Sequence, residues 1–205
     1  VILMLVAILL MENQRRGLLW GKKVPLGKRM LSFVRKYHGY VFAWATVYTF
    51  WYHPMVNTTG HLIGFFYMFM LLLQGSLFLT RIHVNKYWMV VQEVTVAIHG
   101  TLVAVMQGNG SWPMFAFGFG GIFILTQMHG LSLPRWLKWT FTGLYVAAAV
   151  LVYSGRGLVQ LNEIVRIPLI EYLLVIVLAG LVALGLWIGD RFRKQPGKVE
   201  LISEK

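Results

Sequence analysis

The sequence predicts an all-α integral membrane protein, a polytopic transmembrane bundle of about seven helices. Two compositional observations support this prediction: 58% of the 205 residues are hydrophobic, and only 13% are charged. A soluble domain carries about 25% charged residues, so the composition argues against a soluble fold. The third observation is a set of seven apolar stretches separated by segments that contain charged, Gly, Pro or Asn residues. They cover residues 1–11, 37–52, 62–79, 87–106, 112–128, 136–153 and 167–188.

These stretches are predicted to be helices, taken in chain order. Most approach the roughly 20 residues that cross a bilayer as a helix. Backbone polar groups in hydrocarbon need partners within the segment, and the stretches lack the polar and apolar alternation of barrel strands. The first stretch is too short to span, so we expect the printed sequence to begin inside a truncated helix. A signal-peptide core is the alternative, but basic residues precede such a core and here they follow it.

Basic residues predict the orientation of the chain in the membrane. Eight lie in segment 12–36, and others follow the third, fifth and seventh stretches, which places 17 of the 19 on one side. Only Arg156 and Arg166 fall in the alternate loops. The positive-inside rule then places the basic loops and the C-terminus in the cytoplasm, or in whichever compartment faces insertion. The net charge of +12 therefore has a topological explanation, with anionic lipid headgroups and not nucleic acid as the expected contacts.

The predicted organisation has five parts. They are a partial N-terminal transmembrane helix (1–11), a basic cytoplasmic-side segment (12–36), a four-helix core that carries the histidines (37–130), two further transmembrane helices (131–189) and a charged C-terminal tail (190–205). The sequence has no cysteine, which excludes disulfides, thiolate metal sites and covalent c-type haem attachment. A bound metal or cofactor would therefore need histidine, methionine or oxygen ligands.

The six histidines all lie within or at the edge of predicted membrane segments, where ionisable side chains are energetically unfavourable and are commonly functional. They form an inner set and an outer set. The inner set is His38, His83 and His129, and the outer set is His53, His61 and His99. A single boundary histidine is readily explained as an interfacial or loop residue. His99 differs because it lies deep in the apolar run 94–105 and needs a partner or a ligand.

Two layers of histidine match the needs of two stacked b-type haems, because each iron takes two axial imidazoles from facing helices. His38 and His53 are fifteen residues apart, about 22 Å along one helix, so this helix could offer a ligand to each layer. We predict that His53 pairs with His99 for the outer haem and that His38 pairs with His129 for the inner one. His83 is the alternative to His129 as the inner ligand.

Glu93 is the second ionisable signal in the fourth stretch. A carboxyl group one to two turns from the inner edge could act as a proton relay to a quinone or carry a transported ion. The alternative is an interhelical hydrogen bond from its protonated form. Six residues separate Glu93 from His99, so the two side chains point about 120° apart and do not form one site.

Three short motifs carry a resemblance to a known group of proteins. They are KYHGY at 36–40, WYHP at 51–54 and IHG at 98–100. Residues 35–130 resemble the membrane domain of ferric-reductase-like and related bacterial b-type cytochromes. The resemblance implies haem b ligated by His38, His53 and His99. No flavin- or nicotinamide-binding domain follows the helices, so we expect an electron-transfer subunit whose donor and acceptor are other membrane or redox subunits, or quinone.

Retinal proteins, transporters and accessory subunits are other membrane proteins of similar size and helix content. Retinal proteins need a buried lysine in a late helix for a Schiff base, and the stretch 167–188 contains none. A small transporter stays open, although discontinuous helices at matched positions in two halves are not evident. The main alternative is a cofactor-free accessory subunit of a larger membrane complex. The sequence-based prediction is a b-type cytochrome subunit with one or two haems and no soluble catalytic domain.

Overall fold

The computed structural model describes residues 2–52 and 59–193, and within these ranges the chain folds into seven α-helices without a β-strand. The helices are α1 (Ile2–Arg16), α2 (Lys28–Tyr52), α3 (Thr59–Ser76), α4 (Lys86–Met106), α5 (Trp112–Leu125), α6 (Arg135–Arg156) and α7 (Asn162–Arg193). Two 3₁₀ turns, Gln127–Gly130 and Leu158–Leu161, follow α5 and α6. The all-α prediction is confirmed for the described residues, and each predicted apolar stretch overlaps one helix.

Three segments of the described chain are long and apolar enough to cross a membrane. They are Lys86–Met106, Arg135–Arg156 and Val159–Arg193. The apolar part of α3, Gly64–Ser76, is shorter, and α5 has only 14 residues, about 21 Å of helix. The structure therefore supports membrane association through three helices.

The helix ends follow local sequence signals. Asn85 caps α4, because its side-chain oxygen accepts hydrogen bonds from the backbone N–H groups of Tyr87 and Trp88. Pro113 lies in the first turn of α5. Backbone N–H groups in the first turn have no acceptor within the helix, so a proline there removes no hydrogen bond. Gly157 ends α6 with φ of 97°, a conformation that side chains with a Cβ rarely adopt. α2 begins nine residues earlier than the predicted stretch at 37, so part of the basic segment is helical.

α5 lies at the centre of the bundle and contacts α4, α6 and α7. Small residues allow this close packing: a Cβ added to Gly118 would lie 2.8 Å from the Cβ of Ile167 on α7. The largest apolar cluster joins α1 with α2, α5 and α7, and includes Leu9, Leu10 and Val175. α6 and α7 expose large apolar side chains on their outer faces, including Leu151 and Leu169. Such faces are suited to lipid contact.

Candidate functional site

His38 and His83 lie side by side, next to the turn that joins α3 to α4. His38 is on α2 and His83 is in the turn between α3 and α4. Their ring centroids are 6.2 Å apart, and the ring planes are inclined by 37°. Both residues are half-buried. The structure thus brings together two imidazoles that are 45 residues apart in the sequence.

One nitrogen of each imidazole is held by the backbone. Nδ1 of His38 lies 2.7 Å from the carbonyl oxygen of Arg35, and Nδ1 of His83 lies 3.2 Å from the carbonyl oxygen of Gln74. A carbonyl oxygen only accepts hydrogen bonds, so Nδ1 donates in both contacts and Nε2 of each neutral ring keeps its lone pair. A histidine that binds a metal through one nitrogen commonly donates from the other in this way.

Gln74 organises the turn that carries His83. Its backbone carbonyl accepts from the His83 ring, and its side-chain nitrogen donates to the His83 carbonyl at 3.2 Å. Its side-chain oxygen accepts from the indole N–H of Trp88 on α4. One polar side chain therefore connects the end of α3, the turn and the first turn of α4.

Aromatic rings flank the two histidines. Phe42 lies edge-on to His38, with ring centroids 5.5 Å apart. Phe78 is edge-on to His83 at 6.3 Å. Each imidazole therefore has one apolar ring beside it, while both histidines stay half-buried.

His129 lies away from this pair, in the 3₁₀ turn after α5. Its Nε2 is 3.2 Å from the carbonyl oxygen of Ile124, and its ring is edge-on to Trp20, with centroids 6.0 Å apart. Burial, together with the positive charge of Lys138, lowers the pKa of His129. The structure places the ring of His83 beside that of His38. The pairing of His38 with His129 as haem ligands, and its alternative with His83, stay predictions.

The predicted outer pair is only partly described. His53 lies outside the described residues, and so does the side chain of His61. His99 lies on α4 and stacks on Tyr67 of α3, with ring centroids 5.6 Å apart and planes inclined by 22°. Tyr67 itself is buried. The pairing of His53 with His99 stays a prediction.

Glu93 forms a fully buried ion pair with Arg16. Its two carboxylate oxygens accept hydrogen bonds of 2.5 and 2.6 Å from the two terminal guanidinium nitrogens, and the two side chains are 1% and 0% exposed. Such a bidentate contact is the strongest ion-pair geometry available to proteins. Both oxygens are thus engaged by Arg16, and the proton-relay role of Glu93 stays a prediction.

Other buried polar residues stabilise the same interior region. The Asn13 amide makes two hydrogen bonds with the backbone of Val24, at 2.8 and 3.0 Å. The Thr126 hydroxyl lies 2.6 Å from both the Leu18 carbonyl and the Tyr172 hydroxyl. These contacts fix the loop that joins α1 to α2 against the C-terminal end of α5 and an interior turn of α7.

The sequence analysis did not identify Arg16 or Gln74 as site residues. Arg16 was counted among the basic residues that set topology, and its partner lies 77 residues away. For Gln74, a glutamine within an apolar helix was the available signal. In neither case does the local sequence indicate which partner the side chain meets.

The described residues contain no group of three or more His, Cys, Asp or Glu side chains placed to hold a metal ion. A pair of imidazoles is the largest potential donor set in the part of the chain that the structure describes. Comparisons with protein-family models, with curated protein sequences and with solved structures found no match to this chain.

Proposed function

We propose that this chain is a haem-binding subunit of a membrane-bound b-type cytochrome, in which His38 and His83 would hold one haem. The observation that carries the proposal is the pair of adjacent imidazoles, each held through Nδ1 by a backbone carbonyl. The ring centroids are 6.2 Å apart, so the two imidazoles lie close enough together to serve one cofactor.

The donor set also fits haem better than a protein-bound metal ion. Structural and catalytic zinc sites use three or four protein ligands, whereas the described residues offer groups of at most two. Haem iron receives four ligands from its porphyrin, so two axial imidazoles complete its coordination. Phe42 and Phe78 supply the apolar contacts that a porphyrin needs.

The chain's own residues have three roles in this function. His38 and His83 would hold the haem, and the carbonyls of Arg35 and Gln74 orient the two rings. Phe42 and Phe78 place apolar rings beside the two imidazoles. Bound haem would supply one-electron chemistry, and other subunits or quinone would be its redox partners.

We also propose that the chain crosses the membrane several times, with the basic ends of its helices in the cytoplasm. Three described segments have the length and apolar character that this requires. Two polar contacts join segments that the proposal places on the cytoplasmic side. Arg29 at the start of α2 pairs with Asp190 near the end of α7. Lys86 at the start of α4 contacts Ser132, which precedes α6. The distribution of 17 basic residues to one side supports the orientation.

A reduced-minus-oxidised visible spectrum of the purified protein tests the proposed ligands. We expect a sharp α-band that is lost in His38→Ala and in His83→Ala, because either change removes an axial ligand. His129→Ala is the matched control, since it removes a histidine at the same end without touching the pair. A band that is only halved in these variants would indicate a second haem, and His99→Ala and His53→Ala would then remove the other half.

Two results would contradict the proposal. A featureless spectrum from folded protein supplied with haem would show that the chain does not bind it. An α-band that survives both His38→Ala and His83→Ala at full height would place the haem elsewhere.

A cofactor-free accessory subunit is the second candidate, and one observation favours it. α2 exposes a row of aromatic side chains that includes Tyr40, Trp44 and Tyr48, and the last two are stacked with ring centroids 5.7 Å apart. Exposed aromatic surfaces of this kind are common at protein interfaces. The featureless spectrum described above, together with retention of the chain in a larger complex, would support this alternative.

A further inference from the structure

Glu171 is a second buried carboxyl group, and it differs from Glu93 in forming no ion pair with a side chain of the described residues. The α-amino charge of the printed chain acts on it through space. It lies on α7, within the segment Val159–Arg193 that is long and apolar enough to cross a membrane. Only 2% of its surface is exposed. None of the ion pairs among the described residues includes it, and its Oε2 atom is buried without a hydrogen-bond partner.

The surroundings of Glu171 are apolar. It shares the buried face of α7 with Pro168, Val175 and Ala179, at helical spacings of three and four residues. This face packs toward α1 and α5 and not toward lipid. Arg16, the buried cation of the interior, is bound through both terminal nitrogens to Glu93.

An ionised carboxylate in this position would be a buried charge that no side chain among the described residues compensates, which is an unfavourable arrangement in a protein interior. The protonated form removes the charge and needs only a hydrogen-bond acceptor. We propose that Glu171 is a proton-binding site in the membrane interior, occupied at neutral pH and open to modification by apolar carbodiimides. This site uses none of the residues of the proposed haem site and does not depend on that proposal.

The modification chemistry distinguishes a protonated carboxyl from an ion-paired one. The acid proton moves to one carbodiimide nitrogen while the carboxyl oxygen bonds to the central carbon, whose C=N bond to that nitrogen becomes single. The acyl group then moves from oxygen to nitrogen and leaves a stable N-acylurea. No atom is lost, and nothing is oxidised or reduced. Glu93 has both carboxylate oxygens engaged by the Arg16 guanidinium, so it should not react.

The first test treats the full chain, N-terminally acetylated so that no α-amino charge contributes, with dicyclohexylcarbodiimide at neutral pH. Peptide mass spectrometry is expected to find the adduct on Glu171 and not on Glu93. A water-soluble carbodiimide should leave Glu171 unmodified, because the site is closed to water. An unmodified Glu171 in folded protein, or equal labelling of Glu93, would overturn the proposal.

Infrared spectroscopy provides a second test that does not depend on reagent access. The spectrum of the parent minus that of Glu171→Gln should contain a carbonyl band of a protonated carboxylic acid at neutral pH. Glu163→Gln is the matched control on the same helix, because Glu163 contacts Tyr153 and Arg156 near its solvent-facing end. A carboxylate band in place of the acid band at Glu171 would overturn the proposal. Since labelling uses the parent chain, misfolding of Glu171→Gln would not leave the proposal untested.

Discussion

The Arg16–Glu93 pair and the His38–His83 pair show two ways in which this fold accommodates ionisable side chains. Arg16 and Glu93 are excluded from solvent, and both terminal guanidinium nitrogens donate short hydrogen bonds to the two carboxylate oxygens, while Nε of Arg16 is buried without a partner. His38 and His83 are half-buried, and the backbone engages only Nδ1 of each ring. The charges of the first pair are matched within the protein, whereas each imidazole of the second pair has a nitrogen that the backbone does not engage. The depth of a buried ionisable group is therefore a weaker guide to function than what it contacts.

Arg16 illustrates why the interior pair is structural. Its stem packs against the 3₁₀ turn after α5, where a Cβ added to Gly130 would lie 3.2 Å from the Arg16 Cβ. Its head bridges to Glu93 on α4. The residue thus fixes α1 to two other elements through both packing and charge.

The largest expected effect comes from breaking the ion pair. Arg16→Met leaves Glu93 buried without its cation, and we expect the free energy of unfolding to fall by about 3–5 kcal/mol. The double variant Arg16→Met with Glu93→Met should recover most of that loss, because neither charge remains. Unfolding of the purified protein in detergent, by heat or by denaturant, measures both changes.

Arg15→Met is the control for this prediction. Arg15 pairs with Glu12 on the same helix but is partly exposed, so its loss should change stability by less than about 1 kcal/mol. An effect of Arg16→Met no larger than that of Arg15→Met would contradict the structural role of the buried pair.

Helix positions could be predicted from the sequence more reliably than side-chain partners. The apolar stretch at 87–106 matches α4 within one residue, because the length and composition of a span are local properties. The start of α2 was missed because residues 28–36 are rich in basic side chains and lack an apolar run. The Arg16–Glu93 contact joins residues 77 positions apart, and such contacts depend on how helices rotate against one another.

The histidine site shows the same limit. All six histidines were identified as candidates, since buried ionisable residues stand out in apolar segments. Placing His83 and not His129 beside His38 depends on the turn between α3 and α4, which Gln74 holds in place. The sequence contains Gln74 but does not reveal that its backbone and side chain both contact the same histidine.

A smaller effect is expected from Gln74→Leu, which tests whether the histidine pair depends on its support. The change removes an acceptor from Trp88 and a donor from the His83 carbonyl, so we expect a loss of about 1–2 kcal/mol in the free energy of unfolding. We also expect a lower or broadened haem α-band, because His83 loses part of its positioning. Visible spectra and unfolding curves of the same preparation measure the two effects.

Gln92→Leu is the matched control, because Gln92 donates to the Met70 carbonyl between the same two helices. It should reduce stability by a similar amount and leave the α-band unchanged. If Gln74→Leu and Gln92→Leu gave the same spectrum, Gln74 would be a structural residue without a positioning role.

The smallest expected effect concerns His129. Among the described residues its side chain forms no ion pair, and its ring contacts Trp20 and not another histidine. Burial, followed by the charge of Lys138, lowers the pKa of His129 in the folded state, whereas the unfolded chain has the ordinary value of about 6.5. The folded state is therefore favoured above the unfolded-state pKa of about 6.5. This contribution to the free energy of unfolding is lost as the pH falls from there through the lower pKa of the folded state. When the pH is lowered from about 7.5 to about 5.5, the free energy of unfolding of the parent should fall by up to about 1 kcal/mol more than that of His129→Gln. The effect is no larger because the His129 side chain is partly exposed to solvent. Unfolding curves at both pH values measure this difference, and a parent that gains stability relative to His129→Gln on acidification would contradict the sign. That sign separates His129, whose neutral form is favoured by burial, from Arg16, whose side chain is held by two hydrogen bonds to Glu93.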